Sequence, residues 1–368
     1  MKLIIPQSDL ARGLAIAARA ASPRSTLPVL ANVLLEAGET GLQLSATDLE
    51  ISLSVQVPAR VEKPGAISIS ARAFANLVNT LPGLDVSLSL KKEKLEVVCG
   101  SSKTALNGVP AAEFPPLPEI ETGQGLSLPA PDFKNLLQQV VFAASSDDSR
   151  PVLTGVLLVA EGGRLTLAAA DGFRLSECSL ALETPVTTPQ RYLVPAKALS
   201  ELTRLLGEAE QVTLCAPKGR GQIAFVLPGC MLVSQLIEGN FPDYQQIIPR
   251  RHEMSAVIPT AELLKACKQA EIFARENGRT AHLRFKPGLV EVSGHSDESG
   301  STGASVAAQI TGPEIEIAFN VVFLREALSL IRSPSVAFEA IAPTSPGLFR
   351  PVGEEGYLHV IMPVHLGT

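Results

Sequence analysis

The stretch Ile5-Pro6-Gln7-Ser8-Asp9-Leu10 is the first of three copies of one pattern in this chain. In each copy an apolar residue and a proline come before an acidic residue, and apolar residues then recur at helical spacing. Proline is tolerated at the first position of a helix, and an acidic residue in the first turn interacts favourably with the helix dipole. Each copy therefore predicts the start of an amphipathic helix. The other two copies are Leu128-Pro129-Ala130-Pro131-Asp132-Phe133 and Ile258-Pro259-Thr260-Ala261-Glu262-Leu263.

A second pattern recurs three times at a constant spacing of 125 residues, beginning at Ile69, Val194 and Phe319, and each copy leads into a short helix. Alternating apolar residues typical of strands fill the intervals between the helices. The chain therefore predicts an α+β fold of three similar domains, at residues 1–121, 122–250 and 251–368, each with two short helices and many strands. An ordinary duplication without functional consequence would show the same repeats.

The composition is that of a folded protein, with 46% hydrophobic and 18% charged residues. Trp is absent and there are only three Tyr, so contacts with nucleic acid would rely on phosphates rather than on stacked bases. The net charge of -6 argues against a generic basic DNA-binding protein.

The predicted helices differ in charge from the rest of the chain. The windows 8–21, 71–80, 131–145, 195–207, 260–275 and 320–332 hold eleven basic and six acidic residues, a net +5 that leaves -11 for the remainder. Basic helices on an acidic protein can attract DNA to one surface and repel it elsewhere. A chance excess of Lys and Arg on solvated helix faces is the alternative.

Helix diameter limits how such helices could surround DNA. Twelve helices of about 10 Å diameter standing around a hole leave a bore of roughly 28 Å, whereas six leave only about 9 Å. A duplex about 20 Å across therefore requires two chains, if the helices line a hole.

Five scattered cysteines without a C-x-x-C pair predict buried thiols rather than disulfides or a zinc site. The sequence has no signal-like N-terminus and no apolar run of the ~20 residues that a spanning helix needs. We therefore expect a cytoplasmic protein without metal or cofactor.

Seven motifs in order across the three repeats resemble the bacterial DNA polymerase III beta subunit family, the beta sliding clamps, from Met1 to Leu366. They are Arg24-Ser25-Thr26-Leu27-Pro28-Val29-Leu30, Thr47-Asp48-Leu49-Glu50, Pro110-Ala111-Ala112-Glu113-Phe114-Pro115, Arg150-Pro151-Val152-Leu153-Thr154-Gly155, Asp171-Gly172-Phe173-Arg174-Leu175, Gly239-Asn240-Phe241-Pro242-Asp243-Tyr244 and Val360-Ile361-Met362-Pro363-Val364.

The resemblance implies a DNA clamp fold in which two chains close head to tail into a ring with pseudo-sixfold symmetry, helices inside and antiparallel sheets outside. It implies a non-catalytic processivity factor that slides on duplex DNA without regard to sequence. The implied partners are the replicative polymerase, the clamp loader, and other polymerases and repair factors that carry short clamp-binding peptides.

The resemblance also implies roles for particular residues. Arg24 and Arg72 match positions that face DNA, and the charge of the helices adds Lys197 and Arg204. The dimer seam would hold Lys103 and Leu106 on one side and Ile272 and Phe273 on the other, although both of the latter could equally be core residues of their helix. The peptide pocket, between the second and third domains, would be lined by Arg150, Leu153, Gly172, Phe173, Arg174, Leu175, Pro242, Ile247, Thr344, Pro346, Val360, Met362, Pro363 and Leu366.

Two of these assignments have plain structural alternatives. Asp171-Gly172 is a common hairpin turn sequence, and Met362-Pro363 could be an ordered strand end. The chain also departs from the family pattern. Gln245 and Gln246 replace basic residues often found there, the segment 294–300 is less acidic than in some members, and Gly367-Thr368 extend past the usual end.

The sequence lacks the common signatures of enzymes: there is no phosphate-binding loop, no metalloprotease helix and no nucleophile elbow. Three alternatives to the principal clamp stay open. They are a hydrolase whose residues converge only in the fold, a repeat scaffold that forms no ring, and a specialised clamp paralogue, such as one conferring resistance to an inhibitor.

Overall fold

The six helices predicted from the repeats are all present in the computed structural model, which describes residues 1–118, 120, 125–207, 209–217, 219–276 and 278–364. Their starts follow from local chemistry. Pro6 and Pro259 occupy the N-cap positions of α1 and α5 without a side-chain hydrogen bond, and the Ser70 and Asn320 side chains accept hydrogen bonds from the backbone at the starts of α2 and α6. The helices are α1 Gln7–Ala17, α2 Ala71–Thr80, α3 Ala130–Val140, α4 Ala196–Leu205, α5 Thr260–Ala274 and α6 Val321–Leu330.

Most of the remaining chain forms strands. They are β1 Lys2–Pro6, β2 Asn32–Gly38, β3 Gly41–Thr47, β4 Ile51–Val57, β5 Arg60–Lys63, β6 Gly65–Ser70, β7 Asp85–Lys91, β8 Lys94–Cys99, β9 Ser102–Val109, β10 Leu126–Pro129, β11 Gly155–Ala170, β12 Arg174–Pro195, β13 Gln211–Cys215, β14 Gln222–Leu227, β15 Cys230–Gln235, β16 Met254–Pro259, β17 Thr280–Lys286, β18 Leu289–Ser296, β19 Gly300–Ala307, β20 Gln309–Thr311, β21 Ile315–Asn320, β22 Ser335–Ala340, β23 Gly347–Pro351 and β24 Tyr357–Ile361.

Contacts divide the chain into two compact units, and the middle third of the chain is shared between them. The first unit is Met1–Pro131 with Lys197–Leu236, and the second is Asp132–Ala196 with Ile237–Thr368. The division follows strand pairing, since β15 pairs with β4 in the first unit and β12 pairs with β24 in the second. The predicted boundaries at residues 121 and 250 stay predictions.

The first unit contains one antiparallel sheet of thirteen described strands, in the order β10-β13-β14-β15-β4-β3-β2-β6-β9-β8-β7-β1-β5. Burial alternates along most of these strands, so that one face packs against helices. Leu10, Leu14, Phe74 and Val78 of α1 and α2 are fully buried in that core.

The second unit contains a sheet in the order β11-β12-β24-β23-β22-β16-β20 and a sheet in the order β19-β18-β17-β21. Four buried phenylalanines form its aromatic core, in which Phe285 stacks on Phe338 at 4.7 Å between ring centroids, and Phe319 and Phe349 pack edge-on or tilted against the same group. No helix in the described ranges is long and apolar enough to cross a membrane.

Candidate functional site

Three of the predicted pocket residues, Leu153, Leu175 and Val360, form the floor of an apolar site in the second unit. Their exposed fractions are 8%, 2% and 1%. Leu175 lies opposite Val360 in the β12–β24 pair, and Leu348 of β23 lies on the other side of Val360. The floor therefore depends on strand register, which brings residues nearly 200 positions apart into contact.

Three exposed apolar residues, Phe173, Ile247 and Met362, lie within three positions in sequence of residues of this cluster, and we call these three the rim. Their exposed fractions are 61%, 43% and 38%, high values for large apolar side chains. Phe173 immediately precedes β12 and Met362 immediately follows β24, each two residues from a floor residue in sequence. The Met362 N–H donates to the Phe173 carbonyl at 2.8 Å, which holds the two rim segments together.

The Asp171-Gly172 turn is present and shapes the rim. The Asp171 carboxylate accepts hydrogen bonds from the backbone N–H groups of Phe173 and Arg174 at 2.8 and 3.0 Å. Gly172 has φ +95°, and a Cβ there would lie 2.9 Å from Nη1 of Arg150. The hairpin turn that the sequence indicates therefore contributes to the rim, because this turn exposes Phe173 to solvent.

Arg174, which was predicted to line the pocket, makes its polar contacts within the second unit. Its side chain is only 9% exposed and donates to the Asp171 and Glu326 carboxylates and to the Phe142 carbonyl. The guanidinium also stands over the Phe142 and Phe323 rings, at 5.2 and 4.4 Å from their centroids. Arg174 therefore joins the Asp171–Arg174 turn to Glu326 on α6 and to the backbone after α3.

The remaining predicted pocket residues differ in exposure and in how closely the structure ties them to the floor. Pro242 is exposed and precedes the 3-10 turn Tyr244–Gln246, and Gly347 pairs with Ile361, which brings Pro346 beside Met362. Arg150 is half exposed and 3.5 Å from Asp147. Thr344 is exposed and Pro363 half-buried, whereas Leu366, like the Gly367-Thr368 extension, lies outside the described residues.

Sequence reasoning missed Phe241, Tyr244 and Leu348, which are buried in the same apolar cluster as the floor. Phe241 and Tyr244 pack edge-on at 6.1 Å between ring centroids. Both belong to the Gly239–Tyr244 motif, so their aromatic character was an available signal. Leu348 carried no signal of its own, because only the pairing of β23 with β24 brings it to the floor.

The four predicted DNA-binding residues all lie in the first unit, and they differ in their partners. Arg24 and Arg72 are exposed and have no ion-pair partner among the residues described. Lys197 Nζ lies 2.6 Å from an Asp48 oxygen and 3.7 Å from a Glu50 oxygen. Arg204 is hydrogen-bonded to Glu201, a neighbour on α4. Two of the four cations are therefore already neutralised within the chain.

The predicted seam residues lie beside open sheet edges. Lys103 is exposed and Leu106 half-buried on β9, which pairs with β6 only at Gly108 and Val109. On α5, Ile272 is 62% exposed and Phe273 half-buried, so the alternative that Ile272 is a core residue is wrong. In the described part of the chain β19 pairs with β18 alone.

Within the described ranges, no group of three or more His, Cys, Asp or Glu side chains is placed to hold a metal ion. The five cysteines are free, and all but the half-buried Cys230 are buried, as predicted. Burial raises the pKa of Cys178 and Cys267 to about 12, which keeps these thiols protonated and unreactive.

Comparison with known proteins gives the same family along the whole chain. Residues 1–118, 127–243 and 245–365 match the N-terminal, central and C-terminal domains of the DNA polymerase III beta subunit. The beta sliding clamp of Streptomyces coelicolor is 36% identical over 100% of both chains.

Solved structures agree with the sequence comparison. The Bacillus subtilis DNA polymerase sliding clamp superposes with a TM-score of 0.96 at 29% sequence identity. A Pseudomonas aeruginosa sliding clamp bound to griselimycin superposes with a TM-score of 0.93 at 30% sequence identity. Both comparisons cover 100% of both chains. The predicted three-domain clamp fold, with its helices and antiparallel sheets, is therefore confirmed. This chain belongs to the beta sliding clamp family, the DNA polymerase III beta subunits, and is a non-catalytic processivity factor of DNA replication.

Proposed function

We propose that two copies of this chain close head to tail into a ring around duplex DNA, and that the floor and rim residues bind short peptides of polymerases and repair factors. The other expected partners are a clamp loader and the replicative polymerase, in the cytoplasm at the nucleoid. DNA contact would be independent of sequence, because exposed arginines on helices and loops reach phosphates rather than base edges.

The observation that carries the peptide site is the apolar rim of Phe173, Ile247 and Met362 over a buried floor. Apolar side chains of a ligand would bury these exposed surfaces, while backbone groups near Gly172 and Pro363 orient it. Each buried anchor contributes about 1.5–3 kcal/mol before ordering costs, so two anchors predict micromolar binding. A related clamp from Pseudomonas aeruginosa bound to griselimycin supports a ligand site on this fold.

Calorimetry with a peptide bearing Gln followed by two apolar or aromatic residues tests this site. We expect Phe173→Ala and Met362→Ala each to weaken binding about tenfold, since each removes one contact surface worth about 1.4 kcal/mol. Val352→Ala is the matched control, because Val352 is a similarly exposed apolar residue, 41% exposed, at the far end of the β23–β24 hairpin.

Equal affinity of wild type and both rim variants would place the partner site elsewhere on the chain. Equal weakening in Val352→Ala would mean that the loss reflects general apolar exposure and not this site.

A further inference from the structure

The carboxylate of Glu201 lies between two arginines in the first unit. It accepts a hydrogen bond from Arg204 on the same helix and another from Arg19, 182 residues away in sequence, at 3.5 Å. The Glu201 side chain is 16% exposed, whereas Arg19 and Arg204 are 41% and 58% exposed. The acidic group is thus held beneath two cations that reach solvent.

Asp48 restrains Lys197 in the same manner. One Asp48 oxygen accepts the backbone N–H groups of Glu50 and Ile51 at 3.1 and 2.8 Å, which fixes the carboxylate in its turn. The other oxygen bonds Nζ of Lys197 at 2.6 Å, and this hydrogen bond raises the pKa of Lys197. The Asp48 side chain is 13% exposed and that of Lys197 60%.

Arg72 differs from these three cations. It is exposed in the first turn of α2 and, among the residues described, has no carboxylate partner. The basic residues near the helices of this unit therefore form two classes. Residues of the first class can bind a phosphate directly, whereas those of the second must first break an ion pair with a carboxylate of this chain. An exchange of this kind recovers little net electrostatic energy, since one ion pair replaces another.

From these contacts we infer that Glu201, with Asp48 in a parallel role, limits the affinity of this chain for DNA by holding Arg19 and Arg204 in internal ion pairs. The inference rests on the proposed contact of these helices with DNA. A protein that moves along a duplex needs attraction that does not hold it at one place, and internal carboxylates reduce the number of cations that phosphates engage. Glu201 is thus a residue that tunes contact with DNA without touching it.

Fluorescence anisotropy of the full chain with a short labelled duplex, measured across a range of salt concentrations, tests the inference. Glu201→Gln keeps the shape of the side chain and removes its charge. We expect about tenfold tighter binding at low salt and a steeper salt dependence, by up to about 1.8 in the slope of log K against log salt, as two more phosphates are neutralised.

Glu62→Gln is the matched control, because Glu62 also lies between two cations of the first unit, 2.7 Å from Lys2 and 3.4 Å from Arg60, but on the edge strand β5. It makes the same change in net charge and is expected to alter neither affinity nor slope. A gain in Glu62→Gln equal to that in Glu201→Gln would reduce the effect to net charge and overturn the inference.

A second comparison tests the two classes of cation with and without the Glu201 carboxylate. Arg72→Ala should weaken binding in the wild-type background, whereas Arg204→Gln should have little effect there and a large effect in the Glu201→Gln background. Equal losses from Arg72→Ala and Arg204→Gln in wild type would overturn the inference while leaving the proposed DNA contact intact. If Arg72→Ala and Glu201→Gln both bind as wild type does, the proposed DNA contact itself fails.

Discussion

His359 shows how one residue on β24 makes the stability of the second unit depend on pH. The side chain is fully buried, stacked on Phe142 at 5.4 Å between ring centroids, with the charge of Arg174 nearby. Burial, with a smaller contribution from Arg174, lowers the pKa of His359 to about 3. An unfolded chain binds this proton near pH 6.5 while the native protein does not.

The contribution of His359 to stability is therefore present above about pH 6.5 and is lost as the pH falls toward 3, at about 1.4 kcal/mol per pH unit. His359→Leu should remove this dependence. Between pH 7.5 and pH 5 the variant should therefore lose less unfolding free energy than the wild type loses. Denaturant unfolding at both pH values measures the difference, in which the other titrating groups cancel. Parallel losses in wild type and variant would show that His359 does not carry the effect.

At the scale of an element, the turn before β12 determines the rim of the proposed peptide site. In Gly172→Ala the φ of +95° strains the new residue, and its Cβ, 2.9 Å from Nη1 of Arg150, must displace that side chain or the turn. We expect a loss of about 1–2 kcal/mol in unfolding free energy together with weaker peptide binding, since Phe173 follows directly.

Gly353→Ala separates the two effects. Gly353 has φ +81°, so the conformational cost is similar, but its Cβ would meet nothing within 4 Å and the residue lies at the far end of the β23–β24 hairpin. It should lose stability without losing peptide affinity. Full peptide affinity in Gly172→Ala would show that the shape of this turn is irrelevant to the site.

The whole molecule is expected to act as a dimer, because six helices enclose too small a hole for DNA. Sedimentation at micromolar concentration should give twice the chain mass of 38.8 kDa. Ile272→Asp should shift the protein toward monomer without unfolding it, since Ile272 is 62% exposed. Val352→Asp, which places the same charge on another exposed apolar residue of that unit, should remain dimeric.

The same dimer, once loaded, should be retained on nicked circular DNA and lost when the circle is made linear, because a ring slides off a free end. Loss of Ile272→Asp from the circle with retention of Val352→Asp would connect the seam to encirclement. Sedimentation of the wild-type protein as a monomer at high concentration would contradict the proposed ring.

The sequence by itself determined the helices, the strands and the family. The Ser70 and Asn320 side chains accept hydrogen bonds from backbone N–H groups two or three residues further on, and Pro6 and Pro259 immediately precede α1 and α5, so these helix starts follow from local chemistry. Leu175 and Val360 were assigned to the pocket by the resemblance to the family, since both lie in motifs that match it.

Only the tertiary structure decided which residues meet. Arg174 and Leu175 are neighbours in one motif, yet the pairing of β12 with β24 places Leu175 in the floor and turns Arg174 toward Glu326. Glu201 meets Arg19 across 182 residues, so no local pattern shows that two basic residues of the helices are already paired. The physical reason is that the surroundings of a side chain are set by the elements packed against it, and this packing depends on contacts between distant parts of the chain.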